Sequence, residues 1–334
     1  MRVLVTGAAG QLGSELCRQL GNDAKGVDVT GVDTVGPNIF GPATLGPDTV
    51  GPVAVGTVTV GTEANVAGAT GLAIARLDIT DRDAVRRLLA ELRPDVVINA
   101  AAYTAVDAAE TEFETCRRVN ADAVAHLAAA CRETGGALMQ ISTDYVFSAR
   151  GRSAPWREVD PPLPTCRYAE DKLLGEQHAR TAPKHFIVRT CGLYGLLADG
   201  RPGRNFVESM LRLAKRGDPI RVVDDQRCSP TYVPHLAAAL RFLLDSNAYG
   251  LYHVTASGST TWHDFAAEVF RRAEVDVELQ RVTTADYPLP AKRPSYSVLD
   301  TSKYESLGGP AMPAWQEGVA EYLSARPVDP APGA

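Results

Sequence analysis

The chain has 334 residues, of which 45% are hydrophobic and 22% are charged, and its formal net charge is −6. This length is ample for a substantial core, and the mild negative charge does not indicate a nucleic-acid surface. No apolar run approaches the about 18 residues of a membrane span, and no basic-then-apolar signal peptide opens the chain.

The six cysteines have no CxxC or other metal-binding spacing. They stand in segments predicted to be helix or strand, as reduced thiols of a cytosolic protein would. We therefore expect a cytoplasmic location, with neither a membrane nor a nucleic acid as a partner.

A strand, a glycine-rich turn and a helix follow one another at the start of the chain. Residues 2–6 are predicted to be a buried strand, Gly7, Gly10 and Gly13 space the turn, and residues 14–20 form an amphipathic run. In this context the glycines are typical of a dinucleotide site, because they permit a tight turn, close approach of a pyrophosphate and close packing of helix on strand. A purely structural glycine turn is the alternative.

The second predicted strand, residues 29–33, ends in Asp33. An acid at that place can accept hydrogen bonds from the adenosine ribose and disfavours a 2′-phosphate. We therefore expect NADH to be favoured over NADPH. Asp28 is the alternative acid, because a glycine repeat that already begins at Gly26 blurs the position of this strand.

Glycine recurs at every fifth position through an unusual stretch at about residues 34–71. Between Thr34 and Thr62, proline follows four of the repeated glycines and Asp48 is the only charge. Helices tolerate neither this much glycine nor proline. The stretch is therefore predicted to be an insertion, either a turn-rich β-protrusion or a mobile loop.

Strands and helices alternate again after this insertion. The sequence predicts a strand that closes with Asp78 and Ile79, a helix over residues 83–92 capped by Thr80 or Asp81, and buried strands within residues 94–99 and 137–141. This alternation predicts an α/β fold with a Rossmann-type doubly wound parallel sheet, which binds ligands at the carboxyl ends of its strands.

We expect two structural units and a tail. Residues 1–190 are predicted to form the NAD(P)-binding domain, including the insertion. Residues 191–325 are predicted to form mostly a smaller, discontinuous substrate-binding lobe, part of which returns to the sheet. Residues 326–334, which contain three prolines, are predicted to be disordered.

Tyr168 and Lys172 lie four residues apart in a segment of good helix formers, so they share one helix face. An ammonium group beside a phenol favours phenolate, lowers the phenol pKa and eases proton donation to a developing alkoxide. Taken alone, the pair is an ordinary surface feature, so its interpretation depends on the other motifs.

Five motifs occur in the order found in one enzyme family. They are Gly-x-x-Gly-Gln-Leu-Gly from Gly7, Leu-Asp-Ile-Thr-Asp from Leu77, Asn-Ala-Ala-Ala-Tyr-Thr-x-Val-Asp from Asn99, Ser-Thr-Asp-Tyr-Val-Phe from Ser142 and Tyr-x-x-x-Lys from Tyr168. With further matches at residues 189–195, 225–231 and 293–300, the chain resembles the extended short-chain dehydrogenase/reductases, and among them the dTDP-4-dehydrorhamnose reductases. The resemblance covers nearly the whole chain except about residues 34–71.

The resemblance implies an NADH- or NADPH-dependent reductase that acts on the C4 keto group of a dTDP-4-dehydro-6-deoxyhexose in deoxysugar biosynthesis. The expected reaction converts dTDP-4-dehydrorhamnose to dTDP-L-rhamnose. The implied catalytic residues are Thr143, Tyr168 and Lys172. The expected cofactor-binding residues are Gly7, Gly10, Gln11, Leu12, Gly13, Asp33, Asp78, Ile79, Ala102, Tyr103, Thr104, Tyr168 and Lys172. The expected substrate-binding residues are Thr143, Asp144, Tyr168 and Arg293.

Two arginines are candidates for binding the nucleotide diphosphate. Arg189 and Arg293 could each clamp it, because a guanidinium group matches phosphate geometry. A structural salt bridge is the alternative for either residue.

Two other functions stay open. One is a related nucleotide-sugar epimerase or dehydratase. The other is a non-catalytic NADP-binding subunit, because this family resembles the regulatory β subunit of methionine adenosyltransferase. The intact set of Thr143, Tyr168 and Lys172 argues against the second.

Several positions depart from the family pattern. Gly192 stands where a tryptophan is frequent, Cys228 where glycine is common and His235 where an acid is common, and these bear on which sugar is used. Some members bind magnesium through glutamates at a dimer contact, and Glu15 matches one such position. A lone helix glutamate is more often solvated, so no metal site is expected, whereas a homodimer stays open.

Overall fold

The computed structural model describes residues 1–22, 27–33, 74–148 and 151–327. The expected insertion at about residues 34–71 and residues 328–334 of the expected tail lie outside this part of the chain. Within it, no helix is long and apolar enough to span a membrane.

The described residues form eleven strands. In chain order they are β1 (Arg2–Thr6), β2 (Asp28–Asp33), β3 (Ile74–Arg76), β4 (Val96–Asn99), β5 (Ala137–Thr143), β6 (His185–Thr190), β7 (Ile220–Val223), β8 (Arg227–Cys228), β9 (Gly250–His253), β10 (Thr260–Thr261) and β11 (Leu279–Val282).

The same residues form ten α-helices. They are α1 (Gln11–Gly21), α2 (Arg82–Leu92), α3 (Phe113–Arg117), α4 (Ala123–Thr134), α5 (Arg167–Ala179), α6 (Phe206–Ala214), α7 (Val233–Ser246), α8 (Trp262–Arg272), α9 (Ser302–Glu305) and α10 (Trp315–Ala325). Short 3₁₀ segments cover Ala108–Glu110 and Asp144–Val146, and one π-helical turn covers Arg118–Asp122.

Seven strands form one parallel sheet in the order β3-β2-β1-β4-β5-β6-β9. The predicted doubly wound parallel sheet is thereby confirmed. Both β4 and β5 are buried along their whole length, and each begins with three consecutive apolar residues, as in strands covered on both faces. The order reverses between β1 and β4, and ligands of such sheets bind in the crevice beyond that point.

Two apolar clusters cover the two faces of the sheet. One contains Leu16 of α1 and Leu240 of α7 against Val5 and Met139. The other contains α2 and α4 side chains, such as Leu89, on the opposite face. This burial on both sides fixes the strand ends at a common edge.

The C-terminal half packs partly around its own aromatic cluster and partly against the main sheet. Helices α6, α8 and α10 pack around an aromatic cluster that includes Tyr194, Phe265 and Trp315, and β7 pairs with β11 beside them. In contrast, β9 joins the main sheet next to β6. Part of this half therefore returns to the sheet, and the domain boundary at residue 190 stays a prediction.

One local expectation needs correction. The strand expected to close with Asp78 and Ile79 ends at Arg76, because the Asp78 side chain accepts hydrogen bonds from the N–H and hydroxyl of Thr80 and turns the chain. Between β4 and β5, the π-helical turn separates α3 from α4. The cap of α2 is Asp81, whose carboxylate accepts two backbone N–H groups.

Candidate active site

Gly7, Gly10 and Gly13 form a tight turn that leaves no room for side chains. Gly7 has a φ of +71°, and a Cβ there would lie 2.6 Å from the backbone nitrogen of Ala101. Gly10 donates its N–H to the Gly7 carbonyl at 3.0 Å, and a Cβ on Gly13 would clash with that same carbonyl. Helix α1 begins directly after Gly10 without a side-chain cap. Bare backbone and uncapped N–H groups at a helix N-terminus fit a dinucleotide pyrophosphate.

The carboxylate of Asp33 lies against this glycine turn. Its Oδ2 accepts a 2.7 Å hydrogen bond from the backbone N–H of Ala9. Asp28, the alternative acid, stands at the exposed first position of β2, opposite Arg2. The structure therefore places Asp33 at the carboxyl edge of the sheet, where an adenosine ribose would lie, and Asp28 at the other end.

The Gln11 side chain joins the glycine turn to the C-terminal half. Its Oε1 accepts hydrogen bonds from the N–H of Gly195 at 2.8 Å and from the amide of Asn205 at 3.1 Å, and its Nε2 donates to the carbonyl of Arg204 at 3.0 Å. Both polar ends of Gln11 are thus engaged within the protein. Its expected contact with the cofactor stays a prediction, and the Gln11 backbone would have to make that contact.

A second loop reaches the same edge after β4. Tyr103 donates its hydroxyl to Glu112 at 2.9 Å, and its backbone N–H and carbonyl each bond to the Asn120 side-chain amide at 2.9 Å. This pairing fixes the loop, in which Thr104 is exposed. Asn120 belongs to the π-helical turn, so the irregular helix positions a loop expected to contact the cofactor.

Other expected cofactor residues are less accessible. The side chains of Leu12 and Ile79 are 6% and 5% exposed and belong to the two core clusters. Asp78 is occupied with Thr80. Ala102 is half-buried beside Tyr103. The cofactor contacts of these four residues stay predictions.

Helix α5 carries Tyr168 and Lys172 on one face, as the spacing predicts. The half-buried Tyr168 ring packs edge-to-face on Tyr145, with centroids 6.0 Å apart. Lys172 is 4% exposed, and its Nζ donates a 2.6 Å hydrogen bond to the carbonyl of Ile141 on β5. Both residues therefore lie where β5 leaves the sheet.

The pKa of Tyr168 departs from the sequence expectation. Burial raises this pKa well above the usual value of a phenol, and the hydrogen bond with Thr143 lowers it by less. Burial also lowers the pKa of Lys172 to about 8, although the negative charge of Glu176 opposes that change. The net shift of the Tyr168 pKa is therefore opposite to the lowering expected from Lys172, because desolvation of the phenolate is its largest cause.

Thr143 ends β5 and contacts the Tyr168 hydroxyl, which brings two expected catalytic groups together. The Thr143 hydroxyl also accepts the N–H of Tyr145 at 3.2 Å. Asp144 is 1% exposed, and its carboxylate accepts from Ser297 at 2.5 Å and from Thr143 at 3.2 Å. Burial raises the pKa of Asp144 to about 6, against the effect of those hydrogen bonds. Its expected contact with the sugar stays a prediction.

The two candidate diphosphate-binding arginines both form salt bridges. Arg189, only 2% exposed, forms a two-bond pair with the buried carboxylate of Glu176 at 2.8 and 2.7 Å. Its proposed role as a diphosphate clamp is wrong, because the guanidinium lies inside the protein. Arg293 pairs with Asp107 at 2.9 and 2.7 Å. It is 17% exposed, and its role as a substrate residue stays a prediction.

The positions that depart from the family pattern lie beyond β6. Gly192 has a φ of +51°, and a Cβ there would lie 3.1 Å from the ring of Trp262. An aromatic ring from α8 thus lies beside the position where family members often have a tryptophan. Cys228 is buried on β8, and the His235 Nε2 lies 2.9 Å from Glu321.

The Glu15 carboxylate contacts Arg18 and Gln19 of its own helix. Among the described residues, the side chains of Asp224, His263 and Asp264 lie close enough together to be candidate ligands of a metal ion. Arg281 already bonds both of its acids, at 2.6 and 2.8 Å. Neither place supports a magnesium proposal.

Three positioning contacts were not predicted from the sequence. Asn120 holds the Tyr103 loop, Ser297 holds Asp144, and Glu176 binds both β5 and β6. A signal existed for Glu176, since it continues the four-residue spacing of Tyr168 and Lys172 on the same helix face.

The site combines a glycine turn at the carboxyl edge of a parallel sheet, an acid at the end of β2 and a tyrosine–lysine pair on α5. These features define a dinucleotide-dependent short-chain dehydrogenase/reductase. A family model described as RmlD substrate binding domain matches residues 1–327. The chain belongs to the dTDP-4-dehydrorhamnose reductase family.

Individual relatives agree with this assignment. The chain is 41% identical to a dTDP-4-dehydrorhamnose reductase of Salmonella typhimurium over 259 residues, which is 74% of this chain and 85% of the relative. It is 41% identical to the reductase of Streptomyces griseus over 278 residues, or 80% and 90% of the two chains.

A solved structure of the Bacillus anthracis reductase in complex with NADP aligns with a TM-score of 0.79 at 34% identity, covering 97% of this chain and 98% of that one. A Thermus thermophilus UDP-glucose 4-epimerase in complex with NAD aligns with a TM-score of 0.74 at 24% identity, covering 97% and 98%. That second likeness shows the fold alone.

Proposed function

We propose that the protein reduces the C4 keto group of a dTDP-4-dehydro-6-deoxyhexose with NADH or NADPH, and that its reaction converts dTDP-4-dehydrorhamnose to dTDP-L-rhamnose. Membership in the reductase family supports this activity. The observation that carries it is the placement of Thr143, Tyr168 and Lys172 together at the end of β5.

When bound, the cofactor supplies a hydride to the carbonyl carbon. Tyr168 donates its phenolic proton to the oxygen that becomes the new hydroxyl group. Thr143, which contacts the Tyr168 hydroxyl, would hydrogen-bond the developing oxyanion once its hydroxyl proton turns away from the Asp144 carboxylate. Lys172 would hold the nicotinamide ribose and supply a nearby positive charge. The high pKa of Tyr168 keeps the phenol protonated at neutral pH.

The residues of the glycine turn are proposed to hold the dinucleotide. Gly7, Gly10 and Gly13 expose the backbone that would face the pyrophosphate, and Asp33 would accept hydrogen bonds from the adenosine ribose. Tyr103, fixed by Asn120, lines the next loop along the sheet edge.

A panel of dTDP-4-ketosugars, each mixed with NADH or NADPH, tests this function. We expect consumption of the reduced cofactor in proportion to ketosugar. An epimerase or dehydratase would change the sugar without net consumption, and a non-catalytic subunit would do neither. Either of those results would replace the proposal.

Two further expectations from the sequence remain proposals. A cytoplasmic location is consistent with six free buried cysteines among the described residues. A homodimer is tested by the mass of the purified protein in solution, and a monomeric mass would contradict it.

A further inference from the structure

Glu176 lies one helical turn beyond Lys172 and about two beyond Tyr168 on the face of α5 that meets the sheet. Its side chain is 1% exposed. One carboxylate oxygen accepts from Ser142 at 2.6 Å and from Arg189 Nε at 2.8 Å, and the other accepts from Arg189 Nη2 at 2.7 Å. Glu176 thus binds β5 and β6 through three donors.

Lys172 and Glu176 form hydrogen bonds to successive residues of β5. The Lys172 ammonium donates to the carbonyl of Ile141, and the Glu176 carboxylate accepts from the side chain of Ser142. Thr143 is the next residue along the strand. The end of β5, which carries a proposed catalytic hydroxyl, is therefore tied to α5 at two adjacent points.

The charged and titratable groups around Lys172 come from three elements. They are Glu176 on α5, Cys116 on α3 and, bound to Glu176, Arg189 on β6, with Tyr168 one helical turn before Lys172 on α5. Asp171 is adjacent in sequence but faces Cys116 and Arg117. Glu176 is therefore the carboxylate whose charge favours the protonated form of Lys172, and Arg189 is the cation that would remain nearby if Glu176 lost its charge.

We propose that Glu176 is a positioning residue for the reduction: its charge keeps Lys172 protonated inside the protein, and its hold on β5 fixes Lys172 relative to Thr143. A buried ammonium without a counter-charge is costly and tends to lose its proton. The inference rests on the proposed function, because it assigns Glu176 a part in that reaction. A salt bridge that is merely structural would affect stability and leave the ionisation of Lys172 unchanged.

The test compares Glu176→Gln with Glu170→Gln, an identical change on the exposed face of the same helix. The chain contains six lysines, so labelling of the lysine Cε carbons with ¹³C gives few NMR signals, and Lys172→Arg identifies that of Lys172. We expect Glu176→Gln to lower the pKa of Lys172 by about one unit. The basic limb of the kcat profile should move to lower pH by the same amount, and Glu170→Gln should move neither.

An unchanged Lys172 titration in folded Glu176→Gln would overturn the inference. Because removal of one partner of a buried pair is strongly destabilising, a second variant, Glu176→Gln with Arg189→Met, removes both charges. It should shift the titration in the same direction but less, and no shift there would also overturn the inference. A shifted titration in a protein that reduces no ketosugar would retain the electrostatic role and reject the proposed function.

Discussion

The carboxylate of Asp33 accepts a 2.7 Å hydrogen bond from the backbone N–H of Ala9. This contact ties the end of β2 to the glycine turn that follows β1. A negative charge is therefore fixed beside the place proposed for the adenosine ribose, where it would repel a 2′-phosphate.

Asp33→Ala should narrow the preference for NADH over NADPH. The reason is that the change removes both the repulsion of the 2′-phosphate and an acceptor for the ribose hydroxyls. The measurement is kcat/KM for both cofactors, with Asp28→Ala, at the other end of the same strand, as the control. An NADPH-preferring parent that is unaffected by Asp33→Ala would show that the wrong acid has been assigned.

Tyr168→Phe should lower turnover by about 10²–10⁴-fold, because the proton donor is lost while the ring and its packing remain. Binding of reduced cofactor, followed by its fluorescence, should change little. Tyr249→Phe removes the hydroxyl of an exposed tyrosine and serves as the control. Ketosugar reduction by Tyr168→Phe at the rate of the parent would rule out the assigned proton donor.

Relative to the parent protein, the Asp144→Asn variant should gain stability as pH rises from about 4 to above 6. Burial raises the pKa of Asp144 to about 6 in the folded protein, so the folded state favours the protonated acid. The stability contribution of Asp144 is therefore fully present below its unfolded pKa and is lost as pH rises through about 6.

The pH dependence is measured as the Tm difference between Asp144→Asn and the parent across that range. Comparing differences removes any effect of the new amide that does not depend on pH. Asp218→Asn, the same change at an exposed position, is the control. A difference for Asp144→Asn that does not vary with pH would mean that its carboxyl group titrates alike in the folded and unfolded states.

Much of the site could be predicted because its residues follow local rules. Asp33 closes a strand, the glycines separate strand from helix, and Tyr168 and Lys172 share a helix face, so short-range patterns placed each of them at the same sheet edge. Strand β3 was predicted less well, since a side-chain turn at Asp78 ended it early.

Long-range partners could not be predicted in the same way. Arg189 at the end of β6 has a sequence context equally suited to a phosphate or a carboxylate, and only the packing of α5 brings Glu176 to it. The Tyr168 pKa was also predicted in the wrong direction, because the sequence shows the charge of Lys172 and not the burial that raises the pKa of the phenol.

Replacing residues 36–68 of the insertion with a short Gly-Ser link should retain the turnover number. The flanking strands β2 and β3 pair in parallel, with Asp33 opposite Arg76, so the insertion leaves the sheet beside the proposed adenosine pocket. The link and the retained residues at either end must span only neighbouring strands. The measurements are kcat at saturating NADH and the solution mass, and cofactor affinity or oligomeric state can shift modestly. Loss of turnover in a folded variant would mean that the insertion reaches the chemistry.

The most direct test of the proposed reduction follows the hydride itself. Purified protein is given dTDP-4-dehydrorhamnose and NADH or NADPH in which both hydrogens at C4 of the nicotinamide are replaced by deuterium, and the sugar product is examined by NMR. We expect dTDP-L-rhamnose with one deuterium at C4 of the sugar for each cofactor oxidised. An unlabelled sugar, a label at another carbon or no oxidation of the cofactor would contradict it.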